Sequence, residues 1–156
     1  MLVDVTLRPA APADAPALAR IHLDARAAAM PWLPALHTES ETREWIGHVV
    51  ATQHVVVAER AAGPVGYLAL EGRCVEQVYV DPAAQGAGVG TLLLDAAKRA
   101  SPAGLHLHVF TRNEPARRFY EKAEFVLVRQ GDGSGNEERE PDCTYCWTPT
   151  ASGSSS

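Results

Sequence analysis

A chain of 156 residues, 46% of them hydrophobic, is long enough to bury one substantial core and too apolar to remain disordered. Its formal charge of −5 argues against nucleic acid, which is bound by clustered Lys and Arg, and mildly suits a cationic partner. The N-terminal stretch MLVDVTLRPAAPADAPALARIH has no apolar run behind a basic start, and no segment approaches membrane-spanning length, so a cytoplasmic protein without membrane contact is expected.

Leu2 to Arg8 alternates as a first strand. Asp14 is placed to cap a helix with Pro16 in its first turn and a buried stripe of Leu18, Ile21, Ala25 and Ala28, ending near Met30-Pro31. Pro31-Trp32-Leu33-Pro34 is a stiff aromatic connector. Thr38 and Glu41 spell a capping box that opens a second helix with Trp45, Ile46 and Val49 turned inward. His54 to Glu59 and Val65 to Glu71 flank a Gly63-Pro64 turn as a hairpin. In the next strand, Cys74 to Val80, the apolar Val75 and Val78 stand three apart, which strict alternation would put on opposite faces. A β-bulge near Glu76-Gln77 reconciles them, and a bulge bends the strand away from its neighbour.

Val78 to Thr91 reads VYVDPAAQGAGVGT, and apolar residues then recur at Val89, Leu92, Leu93, Ala96, Ala97 and Ala100 with helical spacing. A strand thus feeds a glycine loop that opens a helix. Backbone N–H groups left unpaired there, at the positive end of the helix dipole, suit a phosphate or pyrophosphate. No Lys-Ser/Thr follows the glycines, so the loop is not of the NTPase kind. The dinucleotide fingerprint fails as well, with Thr91 where its last glycine belongs and His106 where it needs an acid.

Beyond the long helix, Leu105, Leu107 and Val109 alternate with His106, His108 and Phe110. Asn113 caps a last helix carrying Ala116, Phe119, Tyr120 and Ala123 on one face; Phe125 to Arg129 is a strand, Gly131 to Gly135 a flexible turn and Asn136 to Asp142 a charged loop. In the final strand, Cys143 to Thr148, alternation sends the sulfurs of Cys143 and Cys146 to opposite faces, so the C-x-x-C spacing does not predict a metal site. The three cysteines fit a reducing compartment. The order β-α-α-β-β-β-α-β-α-β-β gives an α/β (α+β) domain with a mixed, mostly antiparallel sheet covered by helices, one domain over 1–148 with a disordered tail over 149–156.

Three features coincide: V-x-V-D-P-x-x-Q-G-x-G-x-G from Val78, N-E-P-A-R-R-F-Y-E-K from Asn113, and Phe125. Together they resemble the GNAT superfamily of acyl-CoA-dependent N-acyltransferases, and the resemblance runs over residues 2–148. It implies a six- to seven-stranded sheet flanked by four helices and splayed between strands four and five, with acetyl-CoA as co-substrate and no metal. The backbone of Val78, Tyr79 and Val80 would then meet the pantetheine arm, and Gln85, Gly86, Ala87, Gly88, Val89, Gly90 and Thr91 the pyrophosphate. Asn113, Ala116 and Phe119 would contact the cofactor, with Lys122 and Arg117 in reach of its 3′-phosphate. Tyr120 takes the place of the tyrosine that protonates the departing thiolate, and the Val80 N–H would meet the oxyanion. Glu124 stands where the family usually has a left-handed glycine, a departure that bears on the geometry before Phe125.

A protonated amine is unreactive, so a base must take its proton; Glu76 at the bulge and His108 on the fifth strand are both candidates. Trp32 and His37 of the connector and Glu138 of the charged loop are candidates for holding the acceptor, a small-molecule amine or a peptide or protein amine. A homodimer is compatible with the resemblance. The competing readings are a non-catalytic acyl-CoA-binding or regulatory domain of the same fold and a nucleotide-binding module of unrelated topology.

Overall fold

The computed structural model describes residues 4–149. Its strands are β1 (Thr6–Pro9), β2 (His54–Arg60), β3 (Gly63–Glu71), β4 (Cys74–Val80), β5 (Leu105–Phe110), β6 (Val126–Gly131) and β7 (Asp142–Trp147). Its helices are α1 (Ala15–Ala29), α2 (Glu39–Thr52), α3 (Val89–Ala100) and α4 (Glu114–Lys122), with short 3-10 turns at Pro12–Asp14 and Pro82–Ala84. The strands form one sheet in the order β1-β2-β3-β4-β5-β7-β6, antiparallel throughout except for the parallel pair β4–β5. This is the mixed, mostly antiparallel architecture expected, and its element order is the one read from the sequence.

Helices cover both faces, which is why the central strands are apolar almost continuously rather than in alternation. Val55 and Val57 of β2, with Tyr67 and Ala69 of β3, pack under Leu18 and Ile21 of α1 and Ile46 and Val49 of α2. On the other face Val56, Leu68 and Leu70 meet Leu93 and Leu94 of α3, in a core that continues through Leu107, Phe125, Tyr145 and Trp147.

Several local expectations are corrected. Asp14 makes no side-chain cap for α1; its carboxylate accepts from the Ala11 N–H at 2.7 Å and pairs with Arg8 at 2.9 Å. Ala28 is exposed, and α1 buries His22 in addition to Leu18, Ile21 and Ala25. Trp45 is 45% exposed, whereas Ile46 and Val49 are buried as expected. Gly63 and Pro64 belong to β3 rather than to the turn before it. The sixth strand begins at Val126, and as the sheet's edge it leaves Val126 64% and Val128 56% exposed. The first strand begins at Thr6; Leu2 and Val3, like residues 150–156 of the expected tail, lie outside the described residues. The Thr38 capping box is present in both halves, Glu41 N–H to Thr38 Oγ1 at 3.1 Å and Thr38 N–H to Glu41 Oε1 at 2.8 Å.

The end of α4 resolves the question raised by Glu124. Phe125 N–H donates to Tyr120 O at 3.0 Å and Glu124 N–H to Glu121 O at 3.0 Å, while the Phe125 and Tyr120 rings pack 5.8 Å apart. This is a Schellman ending, and it holds Glu124 at φ 75°, where a Cβ costs about 1–2 kcal/mol. Part of that cost is offset in the unfolded chain, because glycine has more freedom to lose. Glu124→Gly is therefore expected to stabilise the fold by about 0.5–1 kcal/mol, read as a higher urea midpoint at unchanged slope.

Candidate functional site

The site begins at the bulge. Ala69 of β3 faces Gln77 of β4, but Leu70 faces Val75, so Glu76 is the extra residue. Val75 and Val78 thereby share the face packed on α3, as their spacing required, and Gln77 and Tyr79 turn to the other face. Beyond it, β4 and β5 pair only at Cys74–His106 and Val75–Leu107 and then part. Asp81 N–H donates to Val65 O at 2.8 Å, so by strand alternation the Val78 and Val80 amides point away from β3, toward the side that β5 has left.

The gap is a slot of about 200 Å³, walled by β4 residues Val75 to Tyr79, by His108, Val109 and Phe110 of β5, and by Asn113, Ala116 and Tyr120. Glu76, His108 and Tyr120, far apart in sequence, thus line one space. Glu76 and His108 are exposed, and His108 Nδ1 lies 3.0 Å from Thr144 Oγ1. Burial and the neighbouring Tyr79 raise the Tyr120 phenol well above its ordinary pKa, so it keeps its proton at neutral pH. Among the described residues its hydroxyl has no hydrogen-bond partner, yet it is not sealed in the core. Burial and the adjacent Glu76 push the Cys74 thiol up to about 12, which leaves it a thiol rather than a nucleophile.

The glycine loop follows the end of β4. Gly86 and Gly88 sit at φ 83° and 85°, in the left-handed region that a side chain disfavours, and Gly88 is the N-cap of α3. Leu92 N–H is the first of α3 to find an acceptor, Gly88 O at 3.1 Å; among the described residues the amides of Gly86 to Thr91 meet none. Gly90 lets α4 close in, since a Cβ there would stand 3.2 Å from Phe119 Cζ. Gln85 donates from Nε2 to Val80 O at 3.2 Å, bracing the loop against the strand. Asn113 caps α4, its Oδ1 accepting from the Ala116 N–H at 3.3 Å. Lys122 is exposed on the last turn of α4, whereas Arg117 is occupied elsewhere, donating to Tyr145 Oη at 3.0 Å and Thr111 O at 3.2 Å.

A second, larger cavity of about 910 Å³ lies between α1, α2, the Pro31–Thr38 connector and the charged loop, and Met30 lines both spaces. Its wall includes His37 and Glu138. Trp32 is not on that wall; it stands edge-on to Phe110, ring centroids 6.2 Å apart, under the Arg112 guanidinium at 4.2 Å. The charged loop is tied down across the chain: Glu138 pairs with Arg26 at 3.1 Å, Glu137 with His37 at 3.0 Å and Glu140 with Arg112 at 3.8 Å. Glu137 raises the His37 pKa, so this exposed tie is made below pH ~6.5 and is lost as pH rises through the raised value. Sequence reasoning missed His22, Arg26 and Tyr79's side chain, which form a polar seam between the two cavities; a histidine inside an apolar helical stripe was the available signal. Among the described residues no cluster of three or more His, Cys, Asp or Glu is arranged to hold a metal ion, and no helix is long and apolar enough to cross a membrane.

Residues 51–127 match the family model of the acetyltransferase (GNAT) domain. The peptidyl-lysine N-acetyltransferase YjaB of Escherichia coli (strain K12) is 38% identical over 78 residues, 50% of this chain and 52% of that protein. The solution structure of the apo form of E. coli YjaB superposes with a TM-score of 0.80 at 22% identity, over 95% of this chain and 100% of that one. The fold is the GNAT fold, and residues 51–127 match the GNAT domain model. The sequence match spans about half the length of the curated relative, whereas the GNAT fold covers nearly all of the chain. A further structural neighbour, yncA of Salmonella typhimurium, was solved with its cofactor acetyl-CoA and superposes with a TM-score of 0.68 at 24% identity, over 94% of each chain. The unrelated nucleotide-binding topology is thereby excluded.

Proposed function

We propose that this chain is a GNAT N-acetyltransferase that moves an acetyl group from acetyl-CoA to a primary amine by direct attack in a ternary complex. The observation that carries the reading is the Tyr120 hydroxyl, without a partner among the described residues, on the wall of the slot between splayed strands whose free amides lead to the glycine loop. The residues fit the group. Extended pantetheine can lie along β4 as an added strand against the Val78 and Val80 amides, and the loop amides suit its pyrophosphate. With no cationic side chain in Gly86 to Thr91, backbone donors supply that binding.

Acetyl-CoA supplies an activated acyl thioester. The chain holds amine and thioester side by side, which is where much of the rate gain arises. Glu76 or His108, both on the slot wall, takes the amine proton, directly or through water, as the C–N bond forms. The Val80 N–H donates to the thioester oxygen as negative charge develops on it. As the C–S bond breaks, its electron pair leaves on sulfur, and Tyr120 donates the proton that completes the thiol. The acceptor enters from the larger cavity, where His37 and Glu138 stand, and Met30 marks its boundary with the slot.

Thiol release from acetyl-CoA across a panel of amines tests this. The panel includes phenethylamine, Nα-acetyl-lysine amide and a lysine peptide, since the E. coli relative is named for peptidyl-lysine. Release dependent on one or more amines is expected; thermal stabilisation by acetyl-CoA without release would indicate a binding domain instead.

A further inference from the structure

His22 stands in the middle of α1, among the residues that the helix buries. It is 8% exposed, on the apolar face of its helix, and it lines the larger cavity. Its Nδ1 lies 3.0 Å from the Tyr67 hydroxyl, which in turn donates to Gln77 Oε1. With that proton committed to Gln77, the Tyr67 oxygen accepts from His22, so Nδ1 carries the imidazole proton and Nε2 keeps its lone pair. Among the described residues Nε2 has no partner, and it is not among the buried polar atoms cut off from solvent. An acceptor atom on a fixed ring therefore faces a cavity. The ring cannot turn away, held edge-on by Trp45 at 5.4 Å and Tyr79 at 4.7 Å.

The surrounding wall points to one kind of ligand. Leu23, Ala27, Met30, Leu33 and Leu36 are apolar, and Asp24, Glu41, Glu137 and Glu138 bring carboxylates to the same wall. The wall's cations are committed: Arg26 donates to Tyr79 Oη at 3.2 Å and Glu138 at 3.1 Å, and His37 faces Glu137 and Glu41. What the cavity offers a guest is a hydrogen-bond acceptor, negative potential and apolar contact.

We propose that His22 is an acceptor-binding residue, its Nε2 taking a hydrogen bond from an N–H of a cationic amine substrate whose apolar body fills the cavity. The inference rests on the acetyl-transfer reading for what happens next, but not for the binding itself. Burial and the positive charge of Arg26 lower the His22 pKa to about 4, so the imidazole is too weak a base to keep the amine's proton. It orients the nitrogen and leaves deprotonation to Glu76 or His108.

Two variants of the full chain separate this role from a structural one. His22→Asn keeps an N–H near the place of Nδ1, facing Tyr67, and loses the acceptor at Nε2. His22→Gln sets an amide oxygen near the place of Nε2 and loses the bond to Tyr67. With phenethylamine as the probe, His22→Asn is expected to raise the amine KM about tenfold, with the acetyl-CoA KM unchanged, and His22→Gln to stay within about threefold of the parent. A purely structural histidine gives the reverse order, which would overturn the inference. Should the parent bind acetyl-CoA but acetylate no amine, the transfer reading falls, and the inference is read directly from 15N NMR. An unprotonated Nε2 whose resonance moves on adding phenethylamine sustains it; a protonated Nε2, or one indifferent to the amine, refutes it.

Discussion

Tyr120→Phe is expected to lower acetyl transfer by about 100- to 1,000-fold while acetyl-CoA affinity stays within about threefold. The substitution removes one oxygen and little else. The Tyr120 ring packs on Phe119 at 5.2 Å and Phe125 at 5.8 Å, contacts that phenylalanine keeps, and the Schellman bonds ending α4 are made by the backbone. Because the hydroxyl has no protein partner among the described residues, no donor or acceptor is orphaned by its loss. A large fall in kcat at unchanged folding stability therefore reports on the reacting sulfur alone. A variant retaining most of the parent rate would remove Tyr120 from the mechanism.

The second large effect is on stability in mild acid. His22 is neutral in the folded chain, its pKa lowered to about 4 by burial and by Arg26, against about 6.5 when unfolded. Between these values the unfolded chain binds a proton that the folded chain does not, so stability is fully present above pH ~6.5 and falls as pH drops toward ~4. The loss reaches about 3 kcal/mol, a large share of the ~5–15 kcal/mol that holds a typical domain together. His37 acts in the opposite sense, gaining its tie to Glu137 as it protonates, but it is exposed and cannot offset a buried imidazole. Urea midpoints from pH 7 to pH 4 for the parent and His22→Asn isolate the effect. The parent curve should drop steeply and the variant's should be nearly flat; parallel curves would mean that His22 protonates without penalty.

Much of this arrangement is legible in the chain because the signals are local. The Val75–Val78 spacing requires a bulge, β4 parts from β5 just beyond that bulge, and the glycine loop follows where β4 ends. The Thr38 box and the Asn113 cap are likewise fixed by residues three apart. What escapes is set by partners distant in sequence. Trp45 packs its ring against His22 instead of entering the core. Arg117 is drawn to Tyr145 of β7, 28 residues on. The acidic loop reads as solvated until Arg26, His37 and Arg112 are seen to pair with it. His22 is hidden for the same reason, since its meaning depends on Tyr67 and Gln77 across the sheet.

Acetyl transfer here requires that the free amides of a bent strand and a glycine loop receive acetyl-CoA. Amide NMR during an acetyl-CoA titration tests that most directly. The N–H resonances of Gly86 to Thr91 and of Val78 and Val80 should shift together and saturate together, while those of β1 and β2 stay in place. Saturable binding that leaves the loop and β4 amides unmoved, or no binding at all, would contradict it.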